Sequence, residues 1–153
     1  MSNKVEFMTD FDTADFTARY QIEFFEYWKK IKSSRTMPSR SDISPHDFVS
    51  ILPHIIMFDY LPDENDFMVR LIGTKSASLL GEPKGRRLSD LKEHVSSLER
   101  LRWCVENKKP YYVIDTMGKK KNKHIKSSAL VMPLSKNDQD VNMVIMVCNF
   151  WLI

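Results

Sequence analysis

The sequence has little with which to cross-link or anchor itself. Its 153 residues include two cysteines, Cys104 and Cys148, which exclude a disulfide framework and fit a reducing interior. The longest apolar run, Met143 to Cys148, falls far short of the roughly 20 residues a bilayer-spanning helix needs. The opening SNKVEFMTDFD mixes acids with apolar side chains and lacks the basic-then-apolar layout of a secretory leader. A cytoplasmic protein is the expectation. Catalytic signatures are missing as well. There is no Gly-x-Ser-x-Gly, phosphate-binding loop, HExxH or paired CxxC, so no enzyme is expected. His46, His54, His94 and His124 are scattered, with no pair four residues apart to chelate a metal.

What is present fits one globular domain over residues 1–153, with 42% hydrophobic and 28% charged residues. The net charge of +3 is too small to imply nucleic acid by itself. Its concentrated source, GKKKNKHIK at 118–126, has no interleaved aromatics and reads as a solvated hairpin turn.

Asp12 caps a long first helix, which with its end spans residues 12–34. Phe16, Tyr20, Phe24, Tyr27 and Ile31 recur at helical spacing, Trp28 widens that stripe, and Ile22 and Phe25 form a second apolar face. One stripe can pack on the parent domain and the other asks for a partner, so Phe16, Tyr20, Ile22, Phe24, Phe25 and Trp28 are the expected homodimer interface. Residues 35–53 form a polar connector and a short helix opened by Ser44-Pro45. The core follows over 54–150. His54–Tyr60 and Phe67–Ile72 are expected as a hairpin, Gly73 breaks the second strand, and Thr74–Leu80 is a short helix ended by Gly81. A long helix then covers Glu93–Lys108, with Leu91, His94, Leu98 and Leu101 on one side, before strands at 111–117, 125–134 and 141–150. Five antiparallel strands with helices across one face make an α+β layout, with a cup between sheet and helices.

This order resembles the PAS domains, in particular a bacterial PAS-like family of stand-alone sensory proteins. The likeness rests on Tyr27-Trp28, on the connector Met37–Pro45, on Leu52-Pro53-His54-Ile55, and on Arg70-Leu71-Ile72-Gly73-Thr74 running on to Leu80-Gly81 and Gly85-Arg86, with Pro133-Leu134-Ser135 at the end of the fourth strand. It implies a sensory and signalling role: a small ligand held between sheet and helices, or contacts made through dimerisation. Neither cysteine has the Asn-Cys-Arg neighbours of the flavin photosensors, so a reactive-cysteine flavin site is not expected. Haem-binding members use a histidine on the long helix, for which His94 is the candidate. No cofactor is expected to be obligatory.

The cup walls are expected from Val69 and Leu71 on the second strand, Leu80 on the short helix, and Leu98 and Leu101 on the long one, with His94 as a titratable group. The segment Ala129–Met132 is apolar on both sides, and Leu130 and Met132 are the expected contributors. Such a wall suits a small, largely hydrophobic or aromatic ligand. Arg40, Asp42, Asp59 and Arg70 are read as structural charges, Arg70 pairing with Asp59 across the hairpin or with Asp42; Arg40 and Arg70 together could instead bind an anion. A pure protein-interaction module with a self-filled core is the competing reading, and a haem protein through His94 the third.

Overall fold

The computed structural model describes residues 5–91, 95–120 and 123–153. The chain runs β1 (Glu6–Met8), α1 (Arg19–Lys32), β2 (Ile55–Leu61), β3 (Asp66–Ile72), α2 (Thr74–Leu80), α3 (Val95–Asn107), β4 (Tyr111–Lys120), β5 (Lys123–Leu134) and β6 (Met143–Leu152). The strands form an antiparallel sheet in the order β1-β4-β5-β6-β2-β3. The α+β antiparallel layout is the one the sequence pattern predicts, with two corrections.

First, the sheet has six strands among the described residues. The added strand, β1, pairs Glu6, Phe7 and Met8 with Ile114, Val113 and Tyr112. Three residues carry no periodicity to read; β1 is held by the open edge of β4 and by Phe7, which packs on Trp103 and Tyr111. Trp103 of α3 thus meets β1.

Second, helices cover both faces. Side chains alternate along each strand, so one face presents Tyr111, Val113, Ala129, Val131, Val144 and Cys148 to Leu98, Leu101 and Cys104 of α3. The other presents Tyr112, Leu130, Met132, Ile145 and Val147 to Phe24 and Trp28 of α1. The Trp28 indole N–H also donates to the Pro133 carbonyl at 3.1 Å, which fixes α1 across β5.

The first helix is shorter than its hydrophobic stripe predicts. Asp12 caps a single 3-10 turn, Thr13–Asp15, in a reciprocal arrangement: its carboxylate accepts from the Ala14 amide while Asp15 accepts from the Asp12 amide. The backbone is then drawn out at Thr17, whose amide donates to the Tyr112 hydroxyl at 2.9 Å. This tertiary bond replaces a helical one, and α1 begins only at Arg19. Pro45 likewise opens a 3-10 turn, Pro45–Phe48, rather than an α-helix, with no hydrogen bond from the Ser44 side chain.

The turn between β3 and α2 depends on Gly73. A Cβ there would lie 2.2 Å from the Leu52 carbonyl oxygen and 2.5 Å from the Pro53 carbonyl, so only glycine allows this close backbone approach. Gly81, at φ +82°, ends α2 as its position predicts.

Candidate functional site

The cup lies between the sheet and α2, α3 and the segment joining them. It encloses about 330 Å³, with a wall that is mostly apolar: Ile56 and Phe58 of β2, Val69 and Ile72 of β3, Leu80 of α2, Leu88 and Leu91, and Val113, Ala129, Met146, Cys148 and Phe150 from the central strands. Pleating decides which residues face it. On β4, Tyr111, Val113 and Asp115 share the cup side; on β5, Ser127 and Ala129 do.

A β-bulge decides the contribution of β3. Phe58 pairs with Val69 but Met57 pairs with Leu71, so Arg70 is the extra residue. The alternation changes phase there. Val69 faces the cup, Leu71 turns away with 37% of its surface exposed, and Ile72 returns to the wall.

Of the residues expected to line the cup, the structure brings Val69 and Leu80 to its surface. Leu98 and Leu101 are buried in the same apolar cluster without lining the cavity. Leu71 is displaced by the bulge. Leu130 and Met132 are fully buried on the opposite face, under α1. With both faces covered, an apolar run on β5 has no polar side to fix its register, and Ala129 is the residue that meets the cup. His94, and with it the haem reading, lies outside the described residues.

The polar part of the site was not among the expected residues. Arg100 on α3 and Asp115 on β4 approach to 3.8 Å (Nη2 to Oδ2), both largely shielded. Arg100 Nη2 also donates to Ser97 Oγ at 3.3 Å, and Ser97, Thr116 and Ser127 add hydroxyls to the wall. Asp115 Oδ1 accepts from the Thr116 amide at 2.7 Å. Tyr111 is completely buried, and neither its hydroxyl nor Arg100 Nε has a hydrogen-bond partner among the described residues. Burial pushes the Tyr111 phenol well above its usual range, Cys104 adds to the rise, and the adjacent Arg100 guanidinium offsets part of it. The phenol is therefore a neutral O–H donor. Period-two reading of β4 from Tyr111 places Tyr111, Val113 and Asp115 together, so this signal was available in the sequence.

Cys148 lines the cup, but burial pushes its thiol up to about 12. Burial also raises Cys104. Both are thiols rather than thiolates at neutral pH, and neither is an activated nucleophile. No group of three or more His, Cys, Asp or Glu that could hold a metal occurs among the described residues.

Behind the cup, the α1 face carries a buried polar network. The Tyr112 hydroxyl donates to Gln21 Oε1 at 2.7 Å and accepts from the Thr17 amide. Gln21 Nε2 donates to Ser128 Oγ and the Val147 carbonyl, and Ser128 Oγ lies 2.6 Å from Thr17 Oγ1. The Tyr20 hydroxyl donates to the Cys148 carbonyl at 2.8 Å, and burial pushes its pKa up to about 12.

The expected structural charges fall in separate places. Arg70 Nη1 meets Asp59 Oδ2 at 3.3 Å across the β2–β3 hairpin, with 64% of the Arg70 side chain exposed. Asp42 instead binds Arg35 at 2.8 Å and closes the turn Arg40–Asp42 by accepting from the Ser39 amide. That backbone bond, aided by Arg35, holds the Asp42 carboxyl below its usual range. Arg40 Nη1 donates to the Ile43 carbonyl at 3.4 Å, and among the described residues it has no ion pair with Asp42, Asp59 or any other carboxylate.

The expected dimer residues also separate. Phe24 and Trp28 are buried against their own sheet. Phe16 and Phe25 pack on each other and on Phe11, and Tyr20 stacks on His54. Ile22 lies on the outer side of α1, beside Glu23 and Glu26.

Residues 16–147 match the PAS domain family, and the chain belongs to it. PAS domains are sensory and signalling modules, typically without catalytic activity. Two solved structures share the fold. One is a light-oxygen-voltage domain studied with a flavin analogue: 14% identity, TM-score 0.51, covering 69% of this chain and 82% of that one. The other is an RNA-binding light-oxygen-voltage receptor: 11% identity, TM-score 0.52, covering 97% of this chain and 38% of the receptor. At such identities the likeness concerns the fold alone. No curated protein matches the sequence. No helix among the described residues is long and apolar enough to cross a membrane.

Proposed function

We propose that this PAS domain is a non-catalytic sensor that holds a small, mostly apolar molecule in its cup and signals through contacts with a second copy or a partner protein. The observation that carries the reading is the cup itself. A half-open cup of about 330 Å³ lies between the sheet and the helices. Its apolar wall with a few convergent polar groups is the usual composition of a small-molecule site.

The route outward is short. Ser127 faces the cup and Ser128, the next residue of β5, bonds Thr17 and Gln21 at the start of α1. A shift of β5 on filling the cup would be felt at α1, whose outer side, with Ile22, is free for a homodimer contact. A cytoplasmic location fits the buried thiols, and nucleic acid is not part of the reading because no aromatic residue interleaves the basic turn at 118–126.

Native mass spectrometry of the purified chain tests the proposal. A noncovalent adduct of a few hundred daltons, lost on denaturation, is expected. A chain at its bare mass, whose stability also rises on filling the cup by Ala129→Leu, would sink it in favour of an interaction module.

A further inference from the structure

Resting on the reading of the cup as a ligand site, we propose that its ligand is an uncharged amphiphile, an extended alkyl chain with a hydroxyl head, lying across the sheet with the head beside Asp115. The cup draws its wall from five neighbouring strands, β4, β5, β6, β2 and β3, spaced about 4.8 Å apart. Polar and apolar residues are sorted along that line. Asp115 of β4 and its register partner Ser127 of β5 sit at one end, where Arg100 of α3 reaches Asp115. At the other end, Ile56 of β2, Val69 and Ile72 of β3 and Leu80 of α2 are all apolar. This sorting fits a long molecule with one polar end, because a polar group at the far end would be buried without a partner.

Charge and hydrogen-bonding capacity choose the head. Among the described residues, Arg100 and Asp115 are the charged side chains lining the cup, and they balance each other at 3.8 Å with 15% and 21% exposure. A carboxylate head would add a second negative charge beside Asp115, and an ammonium a second positive one beside Arg100. Uncompensated charge is strongly disfavoured in a largely apolar site. A hydroxyl adds none. Asp115 Oδ1 is taken by the Thr116 amide, whereas Oδ2 has only the Arg100 contact among the described residues. Ser127 Oγ makes a long bond, 3.5 Å, to the Asp115 carbonyl. A hydroxyl head can donate to Oδ2 and accept from Ser127 at once. An ester or ketone has no proton to donate.

The test is a ligand-observed NMR titration of the full chain with 1-octanol, octanoate and octylammonium, repeated on Asp115→Asn, Arg100→Gln and Ser127→Ala. The parent is expected to bind octanol at least about tenfold tighter than either ion, a difference of about 1.4 kcal/mol. Removing one member of the pair uncovers the charge of the other. Octanoate should therefore gain at least about tenfold in Asp115→Asn, and octylammonium likewise in Arg100→Gln. Ser127→Ala leaves the pair intact and should weaken octanol roughly fivefold, as for one hydrogen bond. Tighter binding of either ion by the parent, or folded charge variants that keep the parent's preference, would overturn the uncharged head. If the charge variants do not fold, Ser127→Ala decides, and octanol binding equal to the parent's would overturn the placement. Binding of none of the three probes would overturn the alkyl alcohol while a noncovalent adduct in native mass spectrometry would keep the cup as a ligand site.

Discussion

Tyr111 and Tyr112 are neighbours on β4, both completely buried, and their hydroxyls end on opposite faces of the sheet with opposite surroundings. The Tyr112 hydroxyl joins Thr17 and Gln21 under α1, while the Tyr111 hydroxyl is sealed on the other side of the sheet beside Arg100, with no hydrogen bond of good geometry among the described residues. Removing each oxygen should therefore give different results. Tyr112→Phe leaves the Thr17 amide and Gln21 without their partner and should cost about 1–3 kcal/mol, whereas Tyr111→Phe should leave the ligand-free protein as stable or slightly more so. Urea denaturation measures both. Equal losses would mean that the Tyr111 oxygen is already satisfied.

Arg70 holds Asp59 across the hairpin but is well exposed. Exposed ion pairs contribute about 0–1 kcal/mol, so Arg70→Met should lower the melting temperature by no more than about 4 °C in a domain of this length. A larger drop in a thermal scan would show that the residue supports the β3 bulge as well.

The inner and outer sides of α1 should respond differently. Phe24→Ala and Trp28→Ala each open a cavity against the sheet and should cost about 3–5 kcal/mol. Ile22→Asp changes the outer side and should spare the fold. If the chain pairs through α1, size-exclusion chromatography should show that Ile22→Asp elutes later than the parent. Identical elution of both as monomers would rule that contact out.

Stability should fall in two steps as pH drops. Burial, aided by Lys75, lowers the pKa of His54. The folded state therefore binds its proton less readily than the unfolded chain, and this contribution, complete above the unfolded pKa of about 6.5, is lost below it. Burial alone would raise the Asp66 carboxyl, but hydrogen bonds from the Ser89 side chain and the Phe67 and Ser89 amides outweigh it and leave the pKa lowered. Its contribution is present above the unfolded pKa of about 3.9 and lost as pH falls through the folded value. Denaturation midpoints across this range should show the stability gap between parent and Asp66→Asn closing in acid. A gap independent of pH would remove the carboxylate from the account.

Local signals were sufficient for most elements. Glycine at 73 and 81, proline at 45 and 53, and helical or alternating apolar spacing gave the hairpin, α2, α3 and the last three strands, because each reports a backbone preference within a few residues. The same period of two contained Tyr111, Val113 and Asp115 as one face of β4, and hence much of the polar site. Leu71 could not be placed this way, since the bulge at Arg70 arises from how β3 meets β2 and leaves no mark in the β3 sequence. Helices on both faces likewise made Leu130 and Ala129 equivalent by composition. Their assignment depends on strand register, a contact between segments far apart in the chain.

The sequence alone determined the order of elements from α1 onward, the PAS family and the presence of a core able to surround a cup, because periodicity and turn chemistry act locally. Tertiary structure decided that α1 lies behind the sheet, that β1 closes its edge, and that Arg100 meets Asp115 beside the Tyr111 hydroxyl. Those facts come from packing, where distant segments meet and exclude one another from the same space.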